Sequence, residues 1–178
     1  VVAAAKYLVE KSADRHRRVI MVLSDGDDNF SNLVRDLTIA EYRANQKVTS
    51  AAAYQNLLER RRRAVVEVQK NVQQADAAFY SINPGGPSVH LNQISTRAQN
   101  NMESIAQSTG GSAYLPDGER DLQRVFSEIA AELRGQYLLQ YYSNSQTGGG
   151  QFRRIAVTLP THPELRVRAR QGYYSKAK

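Results

Sequence analysis

The 178-residue chain has no cysteine, which excludes disulfides, thiolate metal sites and cysteine nucleophiles. That absence fits any compartment. No apolar run approaches the roughly 18 residues that a membrane helix needs. The opening stretch VVAAAKYLVEKSADRHRR carries Lys6, Glu10 and Lys11 among its apolar positions, whereas a secretory signal keeps an unbroken apolar centre. It reads as a helix already under way, so the chain is expected to be a fragment of a longer parent. No internal repeat is visible. Catalytic motifs are missing too. Gly-x-Ser-x-Gly does not occur, and Pro84-Gly85-Gly86-Pro87-Ser88 lacks both the phosphate-loop and the dinucleotide pattern, so it reads as a surface loop. His16, His90 and His162 are isolated in polar stretches without a second ligand at metal-site spacing. The expectation is a non-enzyme.

What is present describes a globular domain. Hydrophobic residues make up 41% of the chain and charged residues 23%, enough for one ordinary core. The net charge is +7, and most of it lies at the end. Residues 151–178 hold Arg153, Arg154, Arg166, Arg168, Arg170, Lys176 and Lys178 against the single acid Glu164. A solvated strand face with a basic tail accounts for this. The other reading is a polyanion-binding surface built on Arg166, Arg168 and Arg170, although nucleic acid is not the expected partner. The run Arg60–Arg63 points in several directions on a helix and reads as solvated side chains.

Periodicity sets the order of elements. Residues 1–13 read as a helix with Val2, Ala5 and Val9 on one face. Residues 17–24, RRVIMVLS, form a short β-branched run suited to a central parallel strand buried on both faces. Residues 30–56 read as a polar insertion with partial helix. A helix is expected over 58–72 (Val65, Val68, Val72), a strand over 77–83, and a helix from 95 that Gly110-Gly111 stops. A strand over 112–115 precedes a helix over 121–134 with the stripe Leu122, Val125, Phe126, Ile129 and Leu133, Asp121 as cap and Gly135 as stop. Three strands follow, at 136–143, 152–159 and 165–170, the last two alternating with period two. The fold class is therefore α/β: a Rossmann-like, mainly parallel sheet with flanking helices over 1–135, and an antiparallel β extension over 136–178.

Ligands of such sheets bind at the carboxyl ends of the strands. Ser24-Asp25-Gly26-Asp27-Asp28-Asn29 lies at the end of the first strand and gathers three carboxylates in four residues. They repel unless a cation or solvent offsets them, and oxygen ligands suit Mg²⁺ or Ca²⁺. Gly26 permits the sharp turn. A plain solvated turn uses the same residues. A helix–loop–helix calcium loop is excluded, because Phe30 stands at its required glycine and Asp36 at its bidentate glutamate. A haloacid-type phosphatase would need Thr or Val after Asp25-Gly26-Asp27, where Asp28 stands.

The string RRVIMVLSDGDDN resembles the fourth strand and third metal loop of von Willebrand factor type A domains. AAFYSINP, MESIAQSTGGSAYLPDGERDLQRVFSEIAAELRGQYLLQYY and FRRIAVTL…LRVRARQGYY extend the resemblance over nearly the whole chain outside about 30–56, toward the A-domain-related proteins of soil bacteria of acidobacterial type. The resemblance implies a metal ion-dependent adhesion site drawn from three loops. One is an Asp-x-Ser-x-Ser loop, absent here, one supplies a Thr, and the third supplies Asp25, with Ser24, Gly26, Asp27 and Asn29 around it. It further implies a non-catalytic, exported adhesion or scaffold module that meets a protein ligand through a metal-bridged carboxylate. The cofactor would be Mg²⁺ or another divalent cation in the intact domain, with little or no binding by this part alone.

Overall fold

The structure, a computed structural model, describes residues 1–13, 16–25, 50–86, 93–142 and 150–175. Along these run α1 (Val2–Lys11), β1 (Arg18–Leu23), α2 (Ser50–Gln74), β2 (Ala77–Ile82), α3 (Gln93–Thr109), β3 (Ala113–Tyr114), α4 (Glu119–Gly135), β4 (Phe152–Arg154) and β5 (Gly172–Tyr174).

Successive side chains of a strand point to opposite faces. In β2 every residue but Ala78 is fully buried, so both faces need cover. Ala77 and Phe79 pack with Ala5 of α1, Ile20 of β1, Val72 and Ala75 at the end of α2, and Ile105 and Ala106 of α3. On the other face Tyr80 and Ile82 pack with Val125 and Ile129 of α4. The three strands lie in the order β1-β2-β3. β1 and β2 are parallel, from Arg18 opposite Ala77 to Leu23 opposite Ile82. β2 and β3 are also parallel, with Ser81 opposite Ala113. A separate antiparallel pair sets Phe152 of β4 opposite Tyr174 of β5. The chain is thus mixed α/β, a parallel sheet with helices on both faces beside a small antiparallel ribbon, consistent with a Rossmann-like build.

The stripes read from the sequence are largely the packed ones. Val65, Val68 and Val72 face the first core, and so do Met102 and Ile105 of α3, while Ala98 and Thr109 on the same helix are buried. The corner after α3 is fixed by backbone proximity. Gly110 takes φ +83°, a left-handed conformation that favours glycine. Gly111 then crosses β2 so closely that a Cβ would lie 2.0 Å from the Phe79 carbonyl oxygen. Thr109 completes the corner, its Oγ1 accepting from the Phe79 N–H at 3.1 Å.

Several expectations need correction. β1 is not central among the described strands. It lies at the end of the sheet, with Met21 41% and Leu23 57% exposed, and among the described residues no further strand pairs with that side. On α1 the packed residues are Ala5 and Leu8, and Val9 is exposed. The face turns toward Ser12, whose hydroxyl accepts from Arg18 Nε. Residues 50–56 belong to α2 rather than to an insertion, and the rest of the expected insertion, to residue 49, lies outside the described residues. The N-cap of α4 is Gly118, and Asp121 instead reaches back to accept from the Asp117 N–H at 3.1 Å. This bond and the Arg124 guanidinium hold its carboxyl below the usual range.

The antiparallel extension differs most. Residues 136–142 form no strand, and Tyr137, Leu138, Leu139 and Tyr142 are exposed. Only 152–154 of the second expected strand is laddered. Its partner is Gly172–Tyr174 rather than 165–170. The chain before Gly172 is held elsewhere, with the Gln171 N–H donating to the Ser108 carbonyl at the end of α3. Gly172 itself passes so near β4 that a Cβ would meet the Arg153 carbonyl at 2.4 Å.

The Gly111 contact generates a test. Gly111→Ala forces the α3–β3 corner away from β2, and chemical denaturation should read a loss of at least about 2 kcal/mol. Gly135→Ala, with open space around the new methyl, should stay within about 0.5 kcal/mol of the parent.

Candidate functional site

The carboxyl ends of the three parallel strands meet at one rim. Parallel pairing carries the register past the last strand residues: the Ser24 N–H donates to the Ile82 carbonyl at 3.0 Å, and the Asn83 N–H to the Tyr114 carbonyl at 2.9 Å. Ser24, Asp25, Asn83, Tyr114 and Leu115 therefore line the same small depression, and α3 closes it with Gln99 and Met102. Its size is on the order of a single water molecule.

Each polar group there has a definable state. Asp25 is exposed, and its Oδ1 lies 3.4 Å from the Ser24 hydroxyl, which donates to it. Asn83 is occupied locally: its side-chain oxygen accepts from the Gly85 N–H at 2.9 Å, pinning the Pro84-Gly85 turn. The Gln99 side-chain oxygen is buried and has no hydrogen-bond partner. A buried amide oxygen left unpaired costs about 1–3 kcal/mol. The rim thus offers a carboxylate, a hydroxyl and an unpartnered amide oxygen, all hard oxygen donors. They do not make a nucleophile–base pair. His16 precedes β1, at the opposite end of the strand, and His162 sits on the surface beside Glu164 at 3.1 Å. Among the described residues no three His, Asp or Glu side chains gather as a metal cluster.

Of the acidic turn read from the sequence, Ser24 and Asp25 lie on the rim. Gly26, Asp27, Asp28 and Asn29 lie outside the described residues, as does His90. Gln99 and Asn83 were not singled out by sequence. Asn83 entered only as the last residue of the strand expected over 77–83, and nothing in the period of α3 distinguishes Gln99 from other polar positions. The basic stripe behaves differently from a free surface. Arg168 pairs with Glu132 of α4 and with the Ser112 hydroxyl. Arg170 pairs with Asp76, the residue that turns α2 into β2 at φ 53°, and also lies over the Tyr173 ring at 5.9 Å. Arg166 is exposed. Two of the three arginines therefore fasten the C-terminal segment to the parallel domain.

Glu132 ties this network to the core, accepting from the Tyr80 hydroxyl at 2.8 Å. Burial, with Glu132 holding the phenolic proton, pushes the Tyr80 pKa well above the usual tyrosine range.

No helix among the described residues is long and apolar enough to cross a membrane. Comparison of the chain with family models, curated proteins and solved structures finds no match.

Two predictions follow from these geometries. Gln99→Leu removes the unpartnered oxygen and should leave stability unchanged or raise it by about 1 kcal/mol, read as a shifted urea midpoint. A clear loss of stability would mean that the oxygen has a partner in solution. The second concerns alkaline pH. A folded-state pKa above the unfolded one gives stability that is fully present below about pH 10 and is lost as pH rises toward the folded value. Tyr80→Phe should lower neutral-pH stability by about 1 kcal/mol and flatten this alkaline decline. A decline of equal steepness in the variant would assign it to other groups.

Proposed function

We propose that the chain is part of a non-catalytic protein-binding module of the von Willebrand factor type A kind, exported in its parent. In this reading the rim at Asp25 contributes to a divalent-cation site that a ligand carboxylate completes. The observation that carries it is the position of Asp25: directly after a parallel strand, at the rim that also receives Ser24, Asn83 and Gln99. A cation there would find the Asp25 carboxylate, the Ser24 hydroxyl and the Gln99 amide oxygen, all of the hard-donor type that Mg²⁺ takes. Mg²⁺ asks for near-octahedral oxygen coordination, so these residues alone hold it weakly. The resemblance assigns the remaining ligands to an Asp-x-Ser-x-Ser loop and a Thr in sequence outside these 178 residues. The chemistry supplied by the cation is a bridge between protein oxygens and a partner carboxylate, a binding role without a reaction.

The expected outcome is a conditional metal response. In a chain that joins an Asp-x-Ser-x-Ser loop to these residues, Mg²⁺ at a hundred times its Kd should stabilise the fold by about 2.7 kcal/mol, seen as a higher Tm in calorimetry. Asp25→Ala should abolish the rise, and the 178-residue chain alone should show none at the same concentration. A parent whose Tm ignores Mg²⁺, or rises equally with Asp25→Ala, overturns the reading.

A further inference from the structure

The C-terminal ribbon is a short ladder, three residues on each strand. Arg168 and Arg170 fasten its approach through partly exposed ion pairs. With no cysteine in the chain, a disulfide cannot secure it. Two other side chains are placed for a covalent bond. Tyr141, in the segment after α4, meets Tyr173 of β5 with ring centres 6.3 Å apart and ring planes at 75°. In that arrangement the edge of one ring, rather than its face, is turned to the other. The phenols also share a hydrogen bond, which holds the Tyr141 proton and raises its pKa above the usual tyrosine range, while the nearby Arg170 and Arg153 act in the opposite sense.

Reach from solvent separates this pair from the buried tyrosine of the core. Tyr141 is 59% exposed and Tyr173 half-buried, so a dissolved oxidant meets the pair directly. Tyr80 is wholly buried, and its hydroxyl donates to Glu132.

We propose that Tyr141 and Tyr173 form an oxidative modification site, joined into a dityrosine by a haem peroxidase acting with hydrogen peroxide. Each phenol gives up one electron and one proton and becomes a phenoxyl radical. Its unpaired spin is shared by the ring carbons beside the oxygen. One such carbon from each ring forms the new C–C bond. The hydrogens on those two carbons then move to the oxygens and restore both phenols. Two protons and two electrons have left the pair, and they reduce one hydrogen peroxide to two waters. Holding the rings together replaces a diffusional encounter of radicals with an internal one. Closing the remaining gap requires rotation of the exposed Tyr141 side chain, a ps–ns motion. The bond ties the segment after α4 to β5 and closes a loop of chain as a disulfide does. Neither tyrosine lines the rim at Asp25, so the inference is independent of the metal reading.

The test treats the 178-residue chain, at high dilution, with a haem peroxidase and hydrogen peroxide. It reads dityrosine fluorescence, the mass of the monomer fraction and the peptides that become joined. Cleavage after Lys and Arg places Tyr141 in residues 135–153 and Tyr173 in residues 171–176. The expected product is a monomer lighter by two hydrogen atoms, with those two peptides linked and a urea midpoint above that of the untreated chain. Tyr141→Phe and Tyr173→Phe should each cut the linked product at least about tenfold, since the internal partner is lost. Tyr142→Phe, at a fully exposed neighbour, should leave it unchanged. Circular dichroism checks that each variant keeps its fold. The proposal is overturned by a folded chain that gives no internal link or links only between molecules. A link that persists in Tyr141→Phe overturns it too, as does a linked monomer whose urea midpoint has not risen.

Discussion

The burial of β2 on both faces is the constraint to which the other packed elements answer. A strand with the side chains of Phe79, Tyr80 and Ile82 wholly removed from water requires one layer of helices on each side. Each of these large side chains contributes about 2–3 kcal/mol through burial. The Phe79 face sets where α2 and α3 come to rest, and the Tyr80 face sets α4. The closest approach in this arrangement, Gly111 over the Phe79 carbonyl, exists because α3 must return to the sheet within two residues of its last turn. The carboxyl ends of β1, β2 and β3 are brought level by the same ladder, so the rim is a product of core packing rather than of the rim residues themselves.

How much of this was legible in the sequence depends on whether a signal is local. The helices α2, α3 and α4 were readable because their apolar stripes repeat at helical spacing, and β2 because a six-residue apolar run between turn signals has few other fates. The position of β1 in the sheet was not readable. RVIMVL is as apolar as a central strand, and whether it is central depends on neighbours that its own residues do not encode. The ribbon failed for a related reason. Leu165, Val167 and Ala169 alternate as a strand should, but a strand also needs a partner backbone, and Ser108 and Asp76 hold the segment first. At the rim, Asp25 was visible because an acidic turn after a buried run is a local pattern. Gln99 was invisible because its approach to the rim depends on how α3 crosses the sheet.

The basic C-terminal segment shows the same dependence on distant sequence. Counted along the chain it is an excess of positive charge. In space, Arg168 and Arg170 meet Glu132 and Asp76, acids from two different parts of the parallel domain. These arginines are partly exposed, so each ion pair adds modestly to stability. Their larger consequence is orientation: they fix the approach of β5 to α2, where Lys70 lies 5.5 Å over the Tyr174 ring. Net charge therefore says little here about an external partner, because much of it has an internal one.

The rim carboxylate and the exposed side chains of Met21 and Leu23 are carried by the same strand and its first following residues. Asp25 follows β1 directly, and β1 is held by a ladder on one side and by helices on its Ile20 face, while among the described residues no strand takes its outer edge and Met21 and Leu23 are exposed. A carboxylate positions a cation only as well as the backbone beneath it is positioned, since an error of about half an ångström already degrades a designed site. Covering the outer edge would add backbone hydrogen bonds two residues from Asp25 and reduce the local opening that an edge strand undergoes.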